Sequence, residues 1–365
     1  MSDSQGNVML DDFSKISENI NKKGATLIFP SKFMGGHEIM TVQIINRMIS
    51  QGHVSPNKFK CIVPNENKVL QSKLDQHSIS YECFKANTHN PEFLYALLNP
   101  FYLKKCINIF RAVPKDNYVI LVQGDILQGT GFLLAGMLSS NKVISYIPYV
   151  HSFKKMGAKF ATLKDIFAAF FFKSTNHYIT ISKCFKEDIE SKNSTASVLL
   201  VNNFVDKVPD KFPKRNLTES DKINIFILGR VQFHQKGHDV LFDALSGITN
   251  RQITIHVVGD GPDLPQLQLL GTGLPDNINV EFHGWVSDSW AVAKEHNIDL
   301  LVIPSQFEGV PLVMLEALER DVDVIAAGRD GMLDYLPENS LYTVSADEVT
   351  ALRNKILCHI QNRLV

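Results

Sequence analysis

Short apolar runs rich in Val, Ile and Leu alternate with longer amphipathic stretches along the whole chain. In the first half these runs predict strands at Ala25–Phe29, Phe59–Val63, Tyr118–Val122, Val143–Val150, His177–Ser182 and Ser197–Val201. Helical patterns lie between them, at Glu38–Ser50, Phe93–Arg111 and Thr162–Lys173. The second half repeats the scheme, with strands predicted at Ile223–Gly229, Ile253–Gly259, Ile278–His283, Asp299–Pro304 and Val322–Ala327. Continuous apolar strands joined by helices imply parallel sheets covered on both faces. The fold class expected is therefore α/β, with two doubly wound, Rossmann-like domains facing a cleft. Ligands of such sheets bind outside the carboxyl ends of the strands, which makes that cleft the expected site. The polar, proline-bearing stretch Asp206–Asp221 marks the boundary. It divides the chain into a first domain over 1–206, a linker over 207–221, a second domain over 222–345 and a closing helix over 346–365. That helix can pack on either domain.

The 365 residues are 44% hydrophobic, enough for two cores. No apolar run is long enough to span a membrane, and the polar, acidic start MSDSQGNVMLDDFSK does not read as a signal peptide. The five cysteines show no CxxC pair and no metal-ligand spacing, so they read as reduced thiols of a cytoplasmic protein. The net charge of −1 conceals an asymmetry. Residues 1–220 hold 27 Lys and Arg against 18 Asp and Glu, while residues 221–365 hold 10 against 20. The basic half is either suited to an anionic membrane surface or acceptor, or is ordinary surface variation. Lys154 to Lys173 sharpens the question, with five lysines, one acid and several phenylalanines. It reads equally as a membrane-surface helix and as a packed helix whose lysines snorkel.

Two glutamates seven residues apart carry the strongest chemical signal, in Glu308-Gly309-Val310-Pro311-Leu312-Val313-Met314-Leu315-Glu316. The helix expected after Pro311 is apolar almost all round and so buried. A buried Glu316 needs a polar partner, either a ligand or a buried Arg. Glu308 precedes the helix start, a natural anion site, or else is a solvated loop residue. Arg230, after the strand Ile223–Gly229, and Lys236 offer two cations suited to a diphosphate. The paired Gly35 and Gly36 sit at a strand-to-helix turn where backbone can approach a ligand. His151 follows an apolar strand at its carboxyl end, and the backbone around Trp285 and Val286 can face a planar base. Asp321-Val322-Asp323 has the form of a DxD metal signature. It leads from a helix into a strand, the wrong sheet edge for a ligand, and no metal site is expected elsewhere.

Together LGR…KG, VVGDGP, FHGWV and DLLVIPSQFEGVPLVMLEAL, with the thinner GG, YVHSF, YITISK and VNNFVD, resemble the retaining glycosyltransferases of family 4, which have the GT-B fold. The nearest likeness is to bacterial enzymes that add hexoses to lipopolysaccharide or similar glycans. The resemblance implies that Arg230 and Lys236 hold the donor diphosphate, helped by the amides of Gly309, Val310 and Leu312. It implies that Glu308 binds the transferred sugar, Glu316 the ribose hydroxyls, and backbone around Trp285 and Val286 the base. Gly35 and Gly36 would lie near the phosphates and His151 near the reacting centre. Three positions depart from the family pattern: Phe204 replaces a Gly, Asp321-Val322-Asp323 replaces Gly-x-Pro, and Asp330-Gly331 replaces Gly-Gly. The expected activity is metal-independent transfer of galactose or glucose from a UDP-sugar, a co-substrate, with no cofactor. The acceptor would be a glycan or lipid-linked glycan, with no nucleic acid partner, in the cytoplasm at the inner face of the membrane. A silent nucleotide-sugar-binding partner of an assembly complex, or another GT-B sugar-nucleotide enzyme, is the alternative.

Overall fold

A computed structural model describes residues 4–86, 91–209 and 211–364, and the chain divides into two compact units, Met1–Asn203 and Phe204–Val365. The first runs α1 (Ser4–Lys23), β1 (Ala25–Ile28), α2 (Gly36–Ser50), β2 (Phe59–Pro64), α3 (Lys68–Gln76), β3 (Tyr81–Phe84), α4 (Glu92–Leu98), α5 (Pro100–Arg111), β4 (Tyr118–Val122), α6 (Thr130–Met137), β5 (Val143–Tyr146), α7 (Ala161–Phe171), β6 (His177–Thr180), α8 (Lys183–Lys192) and β7 (Ser197–Leu200). Its seven strands lie in the order β3-β2-β1-β4-β5-β6-β7, every pairing parallel.

The second unit runs β8 (Ile223–Leu228), α9 (Phe233–Lys236), α10 (His238–Ser246), β9 (Ile253–Val258), α11 (Leu264–Gly271), β10 (Ile278–Gly284), α12 (Ser289–Glu295), β11 (Leu300–Ile303), α13 (Leu312–Glu319), β12 (Asp323–Ala327), β13 (Leu341–Tyr342) and α14 (Glu348–Gln361). Its six strands lie in the order β10-β9-β8-β11-β12-β13, again all parallel. Both sheets start from an interior strand and reverse direction once, so both are doubly wound. The strands are continuous apolar runs because helices cover both faces. β9 and β11 are buried throughout, and each fully buried Ile or Leu contributes roughly 1.5–3 kcal/mol.

The apolar pattern located the strands well, and the differences have local causes. β5 ends at Tyr146, four residues short of the expected end, because Pro148 has no N–H for a ladder. The helix expected over Phe93–Arg111 is two helices. Pro100 cannot continue the first, and the Asn99 side chain caps the second by accepting from the amides of Phe101 and Tyr102 at 3.0 and 3.1 Å. The edge strands β3 and β13 were missed because they are short and lack a continuous apolar run. Helix α1 was also missed, although Phe13, Ile16 and Ile20 mark a buried stripe.

The stretch read as a linker is a strap on the second unit. The Phe212 amide donates to the Arg320 carbonyl at 2.8 Å, Lys214 pairs with Asp323 at 2.5 Å, and Arg215 forms a bidentate pair with Asp299. Helix α14 packs on α10, β12 and β13, and so belongs to the second unit. Asp323 is engaged by Lys214, His359 and Arg363 at the amino end of β12.

Candidate functional site

In the second unit β8 lies beside β11, and the sheet reverses direction between them. The connections leave these strands in opposite directions, so their carboxyl-end loops flank a crevice. One loop carries Gly229 and Arg230, the other Pro304 to Glu308. Backbone bonds lock the neighbouring loops together. The amide of Gly229 donates to Val258 O at 3.0 Å, Val231 to Asp260 O at 3.0 Å, Gly259 to Gly284 O at 2.8 Å, Gln306 to Gln235 O at 2.7 Å and Gly331 to Gly309 O at 3.1 Å. Two glycines make this closeness feasible. At Gly259, where φ is +135°, a Cβ would lie 1.9 Å from Gly229 O; at Gly237, where φ is +63°, it would lie 2.2 Å from Pro304 O.

The charges then fall into place. Glu308 is only 3% exposed, which removes its reading as a solvated loop residue. Lys236 Nζ pairs with its Oε1, and Ser305 Oγ donates to the same oxygen at 3.0 Å. Lys236 is thus held by Glu308 rather than projecting free. Arg230 is exposed at the end of β8, with no ion-pair partner among the described residues. Asp330 holds φ at +52° and accepts the Glu308 amide at 2.9 Å. The residue that departs from the family pattern therefore takes one backbone donor beside the expected anion site.

Glu316 differs from expectation. It is half-buried, and its partner is not a buried Arg. Trp290 Nε1 donates to Oε2 at 2.8 Å. The Arg320 guanidinium lies 4.6 Å over the Trp290 ring and donates to the Glu316 carbonyl at 3.0 Å. Helix α13 is likewise only partly buried: Met314, Leu315 and Ala317 are covered, while Leu318 reaches solvent. Pro311 is its N-cap and Leu312 its first residue. Gly309 receives the Gly331 amide and Val310 is buried. Trp285, 77% exposed, and the half-buried Val286 begin the loop after β10, next to the bond between Gly259 and Gly284.

Gly35, Gly36 and His151 belong to the first unit. Gly35 caps α2 in extended conformation, its amide donating to Glu38 Oε2 at 2.8 Å. The other oxygen of Glu38 lies 2.8 Å from His37 Nε2. Glu38 is fully buried at the β1–β4 reversal, and the sequence reading had passed over it. His151 lies beyond the loop that follows β5. It meets Phe185 edge-on with 5.1 Å between ring centres and sets Nδ1 3.4 Å from Lys155 Nζ.

A further group was not anticipated. His256, Glu281, His283 and His296 bring one ligating atom each within 4.8 Å of one another. Ligand spacing along the chain could not find it, because strand register brings the four together. On α7, Ile166 and Phe170 are exposed beside Phe160, while Phe171 is buried. The stretch is thus both packed and apolar at its surface.

Residues 222–362 match the family described as glycosyl transferases group 1. A lipopolysaccharide 1,6-galactosyltransferase of Salmonella typhimurium is 29% identical over 192 residues, covering 50% of this chain and 52% of that protein. Protein CapJ of Staphylococcus aureus is 31% identical over 136 residues, covering 36% of this chain and 34% of the other. The chain spans about half or less of the length of these curated relatives. Among solved structures, the apo lipopolysaccharide outer core galactosyltransferase WaaB aligns with TM-score 0.70 at 21% identity, covering 92% of this chain and 91% of that one. Anabaena HepE in complex with UDP and glucose aligns with TM-score 0.66 at 16% identity, covering 93% and 90%. The shared architecture is that of the GT-B fold.

Proposed function

We propose, from the premise that residues 222–362 are a group 1 glycosyl transferase domain, that this chain moves a hexose from a UDP-sugar to a glycan or lipid-linked glycan of the cell surface. The observation that carries the reading is the buried, ion-paired Glu308 at the β8–β11 reversal, with the exposed Arg230 across the crevice. Galactose or glucose is the favoured sugar, supported by the galactosyltransferases this chain is similar to and by the UDP and glucose bound to HepE.

We assign the roles as the family resemblance implies them. Arg230 takes the diphosphate by its fork. Lys236 turns from Glu308 toward the phosphates when the donor arrives, and so supplies positive charge as the sugar–phosphate bond breaks. Glu308, freed of its cation, accepts a hydroxyl of the transferred sugar. Glu316 keeps the Trp290 bond with Oε2 and offers Oε1 to the ribose. The positive charge at the diphosphate comes from side chains, so the transfer itself is metal-independent in this reading. The acceptor hydroxyl attacks from the face the phosphate leaves, with retention, and the departing phosphate takes its proton. The exposed apolar residues of α7, among its lysines, fit a peripheral contact with an anionic membrane carrying a lipid-linked acceptor.

A binding-only role is favoured by one feature, the Asp330 carboxylate seated at the Glu308 amide. Thermal shift and slow hydrolysis with UDP-, GDP-, ADP- and dTDP-sugars separate the two readings. Stabilisation and hydrolysis by one UDP-hexose, lost in Arg230→Ala and Glu316→Ala, support the transferase. Stabilisation without hydrolysis, and without transfer to any lipid-linked acceptor, leaves the binding role. No response to any donor sinks both.

A further inference from the structure

Three imidazoles and a carboxylate converge on one face of the β9–β10 edge. Parallel register sets Glu281 opposite His256, so both side chains leave the sheet on the same side. His283, two residues on, follows them. It occupies the irregular step of the ladder between Phe282 and Gly284, the kind of distortion that re-aims a side chain. His296, the C-cap of α12, closes over the group, its carbonyl held by Asn224 Nδ2 at 2.8 Å.

The rings pack on one another, with 4.4 to 5.4 Å between ring centres, and their polar atoms also stand at ligand spacing. His256 Nδ1 lies 3.2 Å from His283 Nε2, and Glu281 Oε2 lies 3.5 Å from His256 Nδ1 and 3.7 Å from His296 Nδ1. Tetrahedral zinc, about 2.0–2.1 Å from its nitrogen and oxygen ligands, holds them about 3.3 Å apart. His256 Nδ1 faces two acceptors at once. If it carries a proton, His283 and Glu281 share that single donor; if it does not, only a proton on His283 Nε2 can meet it, and the Glu281 carboxylate faces its lone pair.

We propose that His256, Glu281, His283 and His296 form a binding site for a divalent transition metal of the zinc class. The imidazole-rich set favours zinc over magnesium or calcium, which take oxygen ligands. The ion ties the edge strand β10 and the end of α12 to β9, so its role is to brace this edge of the second unit. His256 lies within β9 and His296 at the far end of α12, away from the strand-end loops that carry Arg230 and Glu308. The site therefore stands whether or not the transferase reading does.

The test uses the full chain, stripped with a chelator, dialysed, and titrated with zinc. One ion per chain by elemental analysis is expected, with a rise in Tm that magnesium does not reproduce. Cobalt substitution should give the intense visible absorption of a four-coordinate site. Glu281→Gln and His296→Asn, both at partly exposed positions, should each weaken zinc by about tenfold or more, with circular dichroism and metal-free Tm unchanged. Zinc affinity unaltered in the double variant, equal stabilisation by magnesium, or a wild-type chain that retains no zinc and gives no cobalt spectrum would overturn the proposal. The wild-type cobalt and zinc results stand even if a variant fails to fold.

Discussion

The two units share one topology and differ in what they place at its reversal point. In the second, the β8–β11 crevice holds Lys236 against buried Glu308, with Arg230 exposed beside it. In the first, the β1–β4 crevice holds buried Glu38 between the Gly35 amide and His37. Sheet order makes a crevice in both. The first carries Lys32 on the loop after β1, whereas the second sets Lys236 and Arg230 around its reversal. The charge sets differ, and the shared fold by itself assigns no chemistry. Glycine is a steric necessity at Gly259 in the second unit and at Gly129 in the first, where φ is +74° and a Cβ would lie 2.6 Å from Pro30 Cγ, whereas Gly35 has an extended backbone that any residue adopts.

That contrast is tested most severely at Gly259. Gly259→Ala drives a methyl into Gly229 O and should destabilise the second unit by about 4 kcal/mol or more, leaving the first intact. Hydrogen exchange resolved by region would show it, and equal loss of protection in both units would break the comparison. Glu308→Ala should cost about 2–3 kcal/mol by leaving Lys236 half-buried without its partner. It should also lower any transfer rate roughly 10²–10³-fold, measured as product formed at saturating donor.

The next effect is on pH. Burial, reinforced by neighbouring Lys236, lowers His238 from 6.5 to about 4. Between these values the unfolded chain binds the extra proton, so stability is full above pH 6.5 and falls as pH drops toward 4. His238 alone should contribute about 2 kcal/mol to the loss between pH 7 and pH 5 by urea unfolding, and His238→Gln should remove that share. Trp290→Phe removes the Glu316 hydrogen bond, worth about 1 kcal/mol. Nucleotide affinity should fall severalfold by calorimetry, whereas unchanged affinity would detach Glu316 from the ribose. Smallest of all, Gly35→Ala meets the Glu38 carboxylate at 3.0 Å and the His37 ring at 3.5 Å, both side chains. It should cost less than about 1 kcal/mol in thermal melts.

The candidate site was legible where its residues follow strands or open helices, since both boundaries are visible in the apolar pattern. Arg230 was read at a strand end, Lys236 in the loop and helix start beyond it, and Glu308 just before the helix expected after Pro311. Their pairing was not, since Lys236 and Glu308 are far apart along the chain and meet only when β8 pairs with β11. Glu316 was found for a partly mistaken reason. Its helix reads as buried, yet the fold leaves it half-exposed and supplies Trp290 as its partner. Glu38 was missed because one carboxylate two residues beyond a GG turn looks like an ordinary helix-start acid.

The sequence by itself determined the alternation of strands and helices and the charged residues at the strand ends. These depend on neighbours within a few positions, where side-chain period and turn chemistry act directly. Tertiary structure alone decided that Glu308 is buried against Lys236, that segment 211–215 straps the second unit, and that three histidines and a glutamate meet on β9, β10 and α12. Those outcomes depend on strand order and register, and a one-residue slip in register would turn His256 and Glu281 to opposite faces of the sheet.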